Sequence, residues 1–251
     1  MQGIISQRLI GERDCFIYLP PNRKLHHPVL YVHDGQSFIQ YFKVIISSLE
    51  QEYFNDLPII VAISTSDRLA DYTPWAAKAL SNKFPDFKGK ADHYLSYIEK
   101  TLKPFIDTEY ATLSDLSHTY LMGFSLGGLV SIYAMLKTQY FGNIISISGS
   151  FWYPNWIEYI EKTNILNPSI NLLLLAGKNE GRNKVTLQKD AFLFTTKTHE
   201  ILQIKLDKTI PLIIDEGEHH DFQIERYSKA LQWICQQEKL KNNMTTNERS
   251  I

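Results

Sequence analysis

Short, mostly apolar runs alternate along this chain with longer stretches in which apolar residues recur every three or four positions. The apolar runs fall at 28–32, 57–63, 118–124, 143–148, 171–176 and 210–214, each of strand length and rich in Val, Ile, Leu and Tyr. Runs without polar alternation are those buried on both faces, as in parallel sheets. Between them, residues 38–54 place Phe38, Phe42, Ile45, Ile46 and Leu49 at helical spacing, and residues 91–110 do the same with Tyr94, Tyr97, Ile98, Leu102 and Phe105. Helices are likewise expected over 125–137, over 184–206 and from the loop at 215–221 to about residue 239. Residues 3–10 and 13–19 flank the turn-like Gly11-Glu12 and predict an opening antiparallel hairpin. Regular alternation of strand and helix implies one doubly wound, mostly parallel sheet. Residues 64–90 form a long irregular connection, which in a compact domain usually serves a site.

Composition narrows the class. The 251 residues are 44% hydrophobic and 21% charged, enough to bury a full core, and are read as a single domain over residues 1–240. Residues 241–251 are polar and expected to be a disordered tail. A net charge of −1 gives no electrostatic reason to expect nucleic acid or an anionic membrane as partner. No run of about 18 apolar residues and no basic-then-apolar leader are present. Cys15 and Cys235, at opposite ends of the chain, make neither a disulfide framework nor a metal spacing, which points to a cytoplasmic address. A homo-oligomer is compatible with this composition.

The chemistry gathers at the ends of the apolar runs, where ligands bind in doubly wound sheets. The run at 118–124 leads into Gly123-Phe124-Ser125-Leu126-Gly127 and then a helix. This is G-x-S-x-G in the strand–turn–helix setting of a nucleophile elbow. A serine on so sharp a turn has strained backbone angles, and side chains two residues either side would collide, hence the glycines. The turn also aims the Leu126 N–H at the place where an oxyanion would form. A base must follow the last strand, as His219 or His220. The other histidines, His26, His27, His33, His93, His118 and His199, lie upstream or out of order. Glu180, after the strand at 171–176, is the expected acid, with Asp215 as the alternative. Gly35-Gln36, after the strand at 28–32, supplies a second oxyanion donor in the Gln36 N–H. No His, Asp or Cys cluster has metal spacing and no cofactor motif appears. Tyr72, Trp75, Trp152, Tyr153 and Trp156 concentrate in two loops at strand ends; with Gly35, the residues Tyr72, Trp75 and Trp152 are the candidate substrate pocket.

From Ser6 to Trp233 the sequence resembles the esterase D-like putative-esterase family of the α/β-hydrolase superfamily, and its siderophore-esterase-like bacterial branch most of all. The resemblance rests on Leu30-Tyr31-Val32-His33-Asp34-Gly35-Gln36, Asp71-Tyr72-Thr73-Pro74-Trp75, Gly123-Phe124-Ser125-Leu126-Gly127-Gly128, Ser148-Gly149-Ser150-Phe151-Trp152, Gly177-Lys178-Asn179-Glu180 and Gly217-Glu218-His219. It implies an α/β-hydrolase fold with Ser125 as nucleophile, Glu180 as acid and His219, the histidine at G-x-H, as base. The expected activity is hydrolysis of a small-molecule carboxylic ester through an acyl-enzyme. An acyltransferase or thioesterase would use the same site, and a non-catalytic binding protein the same fold.

Overall fold

The computed structural model describes residues 1–248. Its elements in chain order are β1 (Ile4–Ile10), β2 (Arg13–Leu19), β3 (Val29–Val32), α1 (Gly35–Glu52), β4 (Ile59–Ile63), α2 (Arg68–Asp71), β5 (Ala76–Ala77) and β6 (Phe87–Lys88). Next come α3 (Ala91–Tyr97), a π turn (Ile98–Leu102), α4 (Lys103–Glu109), β7 (Thr119–Phe124), α5 (Leu126–Lys137), β8 (Asn143–Ile147) and α6 (Trp156–Lys162). The chain continues through β9 (Asn171–Gly177), α7 (Ala191–Leu206), β10 (Leu212–Asp215) and α8 (Gln223–Glu248).

The main sheet has the order β1-β2-β4-β3-β7-β8-β9-β10. It is parallel from β4 to β10, with the β1–β2 hairpin joined antiparallel to β4. This is the mostly parallel sheet with an antiparallel opening hairpin expected from the apolar runs, and the α/β-hydrolase fold that the family resemblance implies. Alternate side chains of each strand enter different cores. Tyr31, Val61 and Leu121 meet Tyr94, Leu129 and Trp156 from α3, α5 and α6, whereas Leu30, Ile60 and Met122 meet Phe38 and Phe42 of α1 and Leu231 and Ile234 of α8. Burial on both faces explains why β3, β4 and β7 contain almost no polar positions.

Several stretches depart from expectation. The helix anticipated over 91–110 is interrupted by its π turn, where the Lys103 N–H reaches back to the Ile98 carbonyl. Pro104, which has no N–H to donate, follows at once, so the irregular turn sits where a regular bond would be missing. Residues 64–90 hold a short helix and the small β5–β6 ladder rather than pure loop. Helix α7 begins at Ala191, not 184. The Thr186 hydroxyl takes the Gln188 N–H, and Asn183 has a left-handed backbone, so the chain turns before it coils. Helix α6 has no counterpart in the sequence reading. Helix α8 runs to Glu248, where a disordered tail was expected from residue 241; residues 249–251 of that tail lie outside the described residues.

The elbow sits between β7 and α5, at the middle of the sheet. Gly123 is sterically obligatory: a Cβ there would lie 2.4 Å from the Gly127 carbonyl carbon and 2.7 Å from the His33 ring. Gly128 is as tight, 2.6 Å from Ser146 Oγ, but at Gly127 the nearest atom would be 3.2 Å away. The crowding expected at both flanking glycines is thus strong before the serine and weak two residues after it. Gly123→Ala and Gly128→Ala should each cost about 2 kcal/mol or more, within the usual ~1–3 kcal/mol of overpacking, and Gly127→Ala under about 1. Thermal melts check this; equal losses at all three positions would show that the elbow is crowded differently.

Candidate active site

Ser125 follows the last residue of β7 with φ 61° and ψ −120°, a conformation unfavourable for a side chain. It is pinned from two directions: its N–H donates to the Ile147 carbonyl at 2.9 Å, and its carbonyl accepts the Ser150 N–H at 3.0 Å. Both partners belong to the neighbouring β8 and its exit loop, so sheet pairing holds the turn in place. The Ser125 hydroxyl is thereby left facing out, 3.0 Å from His219 Nε2 and 3.2 Å from Ser150 Oγ.

His219 Nδ1 lies 3.0 Å from Glu180 Oε2. An imidazole beside a carboxylate on Nδ1 carries its proton there, which leaves Nε2 as an acceptor toward the serine. Glu180 is buried, and its other oxygen accepts the Gly177 N–H at 2.9 Å. Burial raises the Glu180 pKa, but the hydrogen bond and charge of His219, the Gly177 amide and the Ser148 hydroxyl outweigh it and hold the carboxyl below its ordinary value. Ser125, His219 and Glu180 thus lie together although 94 residues separate the first two and 39 the last two. His220 points elsewhere. Its Nδ1 takes a hydrogen bond from the Gln223 amide at 3.2 Å, and its ring packs edge-on against His219 with centroids 4.8 Å apart.

Asp215 does not reach His219. It holds Arg226 through two oxygens, with Arg226 Nε and Nη2 each donating at 2.7 Å, and accepts the Gly217 N–H at 2.8 Å. Arg226 is almost wholly buried and was not singled out in the sequence, where it is one cation among many on an amphipathic helix. Its one sequence-level trace lies in Gly177. A Cβ on Gly177 would come 2.4 Å from Arg226 Nη2 and 2.2 Å from the Gly217 carbonyl, so Gly177 leaves room for the guanidinium and for the loop backbone at Gly217.

A cavity of about 310 Å³ opens beside Ser125, lined by Asp34, Gln36, Tyr41, Arg68, Phe124, His220, Gln223 and Tyr227 among others. Leu126 and Gln36 are first-turn residues of α5 and α1, where backbone N–H groups lack intrahelical partners. The loop bearing Gln36 is fixed from below. Asp34 has a left-handed backbone (φ 57°), accepts two hydrogen bonds from Arg68 at 2.6 and 3.0 Å, and donates its N–H to the Tyr72 hydroxyl at 2.9 Å. Burial raises the Asp34 pKa against the opposing pull of Arg68.

The candidate pocket residues are placed differently from expectation. Tyr72 is fully buried and supports the Asp34 loop rather than lining the cavity. Trp152 is buried against Phe87 (centroids 6.3 Å). Gly35 is packed on β4, where a Cβ would meet the Ala62 carbonyl oxygen at 2.4 Å. Trp75 is half-buried, donates to the Pro154 carbonyl at 3.1 Å, and lines a separate hollow of about 600 Å³ with Ala77, Leu80 and Leu187. Aromatic residues at strand ends belong here mostly to the core. Among the described residues no group of His, Cys, Asp or Glu could hold a metal ion, and no helix is long and apolar enough to cross a membrane.

The family model described as "Putative esterase" matches residues 6–249. The chain is 33% identical over 243 residues to the uncharacterized protein YbbA of Bacillus subtilis, covering 93% of this chain and 97% of that protein. It is 29% identical to the ferri-bacillibactin esterase BesA of the same organism, over 66% of this chain and 64% of BesA. Among solved structures, an IroE-like serine hydrolase from Shewanella oneidensis superposes with a TM-score of 0.72 at 22% identity, over 93% of this chain and 79% of that one. The chain therefore belongs to the Putative esterase family and is an ester hydrolase of the α/β-hydrolase fold.

Proposed function

We propose that Ser125, His219 and Glu180 are the catalytic triad of this esterase, with the Leu126 and Gln36 amides as its oxyanion hole. The observation that carries the reading is the unbroken chain of two 3.0 Å contacts, from Ser125 Oγ to His219 Nε2 and from His219 Nδ1 to Glu180 Oε2. In this reading Ser125 Oγ attacks the ester carbonyl as His219 takes its proton. Negative charge then develops on the former carbonyl oxygen. First-turn amides of two helices are fixed donors for it, and each helix dipole adds a positive end. His219 passes its proton to the leaving alkoxide, and the acyl-enzyme is released by water activated at the same imidazole. Glu180 keeps Nδ1 protonated and balances the imidazolium of each half-reaction. The substrate is a small-molecule ester presented in the cavity beside Ser125, and the likeness to BesA makes a siderophore ester the first class to test.

Ser125→Ala should abolish ester hydrolysis and fluorophosphonate labelling in a folded protein, with a loss in kcat of about 10⁶. Activity within tenfold of wild type would reject Ser125 as nucleophile.

His219→Ala should be as damaging as the serine change. His220→Ala should keep kcat within about tenfold and act mainly on KM, because His220 lines the cavity. A crippled His220 variant beside an active His219 variant would reverse the assignment.

Glu180→Gln keeps the side-chain shape but removes the charge, and should lower kcat by about 10⁴. The depressed Glu180 pKa fixes the sign of its pH effect. The carboxylate stabilises the fold above the ordinary glutamate range, near pH 4.3, and that contribution is lost only as pH falls through its lower folded value. The acid limb of kcat/KM above pH 5 should then report one proton. A two-proton limb there would show that Glu180 titrates together with His219.

A further inference from the structure

We infer that Arg226, held by Asp215, is a positioning residue that locks the base and the acid of the proposed triad into one frame. The inference rests on the triad reading and adds to it a part that touches neither substrate nor Ser125.

The geometry is that of a fully used guanidinium. Arg226 Nε and Nη2 grip Asp215 at the end of β10, and Nη2 also donates to the Glu218 carbonyl at 3.1 Å. Nη1 donates to Ser148 Oγ just past β8 at 2.8 Å, and lies 3.2 Å from the His219 carbonyl and 3.4 Å from Glu180 Oε1. One planar group therefore ties the exits of three adjacent strands to the loop that carries His219. All five N–H donors face acceptors, a pattern that an ammonium group with three donors cannot copy. The His219 loop has few other anchors to the sheet: the Asn179 amide donates to the Glu216 carbonyl, and the Asn179 N–H to that of Gly217. Burying this cation is costly unless it is paired, and Asp215 supplies the pairing charge.

Charge gives the assignment a signature distinct from simple bracing. The groups facing His219 are Glu180 from the β9 exit, Arg226 from α8 and the His220 ring, with Asp215 behind Arg226; Lys184 and Arg68 act on His220. Removing Arg226 takes away a cation bonded to the His219 carbonyl and 3.4 Å from Glu180 Oε1, the carboxylate that faces the imidazole, and should make that imidazole easier to protonate. Removing the Asp215 charge leaves that cation unbalanced and should make it harder.

The test is steady-state kinetics and pH profiles of Arg226→Met, Arg226→Lys and Asp215→Asn, with thermal melts and fluorophosphonate labelling of wild type and Ser125→Ala in parallel. Arg226→Met should lower kcat about 100-fold with KM within threefold, the scale of a roughly 1 Å misplacement of reacting groups. Its acid limb should move up by about 0.3–1 pH unit and that of Asp215→Asn down by a similar amount. Arg226→Lys should keep the limb in place while kcat stays at least tenfold low. Should Arg226→Met fail to fold, the Lys and Asn variants carry the test alone. Turnover within threefold of wild type in folded Arg226→Met or Arg226→Lys, or unmoved limbs in folded Arg226→Met or Asp215→Asn, overturns the positioning role. If wild type is labelled at Ser125, that failure leaves the triad standing; if Ser125 is not labelled, the triad reading falls and this inference with it.

Discussion

The molecule depends on one strained residue being held still. Ser125 has a backbone conformation that L side chains avoid, at a cost of order 1–3 kcal/mol. What pins it is the pairing of β7 with β8, together with hydrogen bonds to Ile147 and Ser150 at the end of that ladder. Central strands of a sheet buried on both faces are the least deformable part of an α/β domain, so the strain is placed where it can be sustained. The hydroxyl then faces away from the sheet because the backbone leaves it no alternative.

Beneath this turn lies a polar layer whose purpose is rigidity. His33 is fully buried under Gly123 and Gly127; its Nδ1 is bonded to the Tyr94 hydroxyl at 2.8 Å, while Nε2 has no partner. Burial, aided by the nearby Arg68, pushes its pKa down to about 3, so the ring stays neutral. Tyr94 and Tyr72 surround it, Tyr72 holds Asp34, and Arg68 grips Asp34 from the far side. Packing of this kind fixes the entry to α1 as firmly as sheet pairing fixes the elbow. A His with a depressed folded pKa also destabilises the fold in acid, because the unfolded chain binds a proton that the native ring refuses between about pH 6.5 and 3.

Much of this was legible in the residues. Apolar runs of strand length announced the parallel sheet, and the order of Gly-x-Ser-x-Gly, Glu180 and His219 along the chain gave the candidate site, because strand exits in such a sheet converge on one edge. What escaped notice escaped for physical reasons. Arg226 lies beside Tyr227 on a helix whose periodicity is amphipathic either way, and no local pattern distinguishes a buried arginine from a solvated one. Tyr72 and Trp152 were read as pocket walls because an aromatic at a strand end looks the same whether it turns to solvent or to the core; burial decides it, and burial is tertiary. The missed helix at 156–162 is short; Asn155 with Glu158 three residues on is a capping pattern in the sequence, although in the fold Asn155 is left-handed and its side chain makes no cap bond.

The wide separation of the site along the chain bears on how the protein is made. Ser125 and His219 are 94 residues apart, and Arg226 follows the histidine. At a synthesis rate of about 5–20 residues per second, roughly 5–20 s pass between the emergence of the elbow and that of His219. Over that interval β7, β8 and the strained turn are outside the ribosome while β10 and α8 are not. If the proposed triad is the working one, the nascent chain carries its serine with neither base nor clamp, and reactivity waits for the last strand and helix to dock.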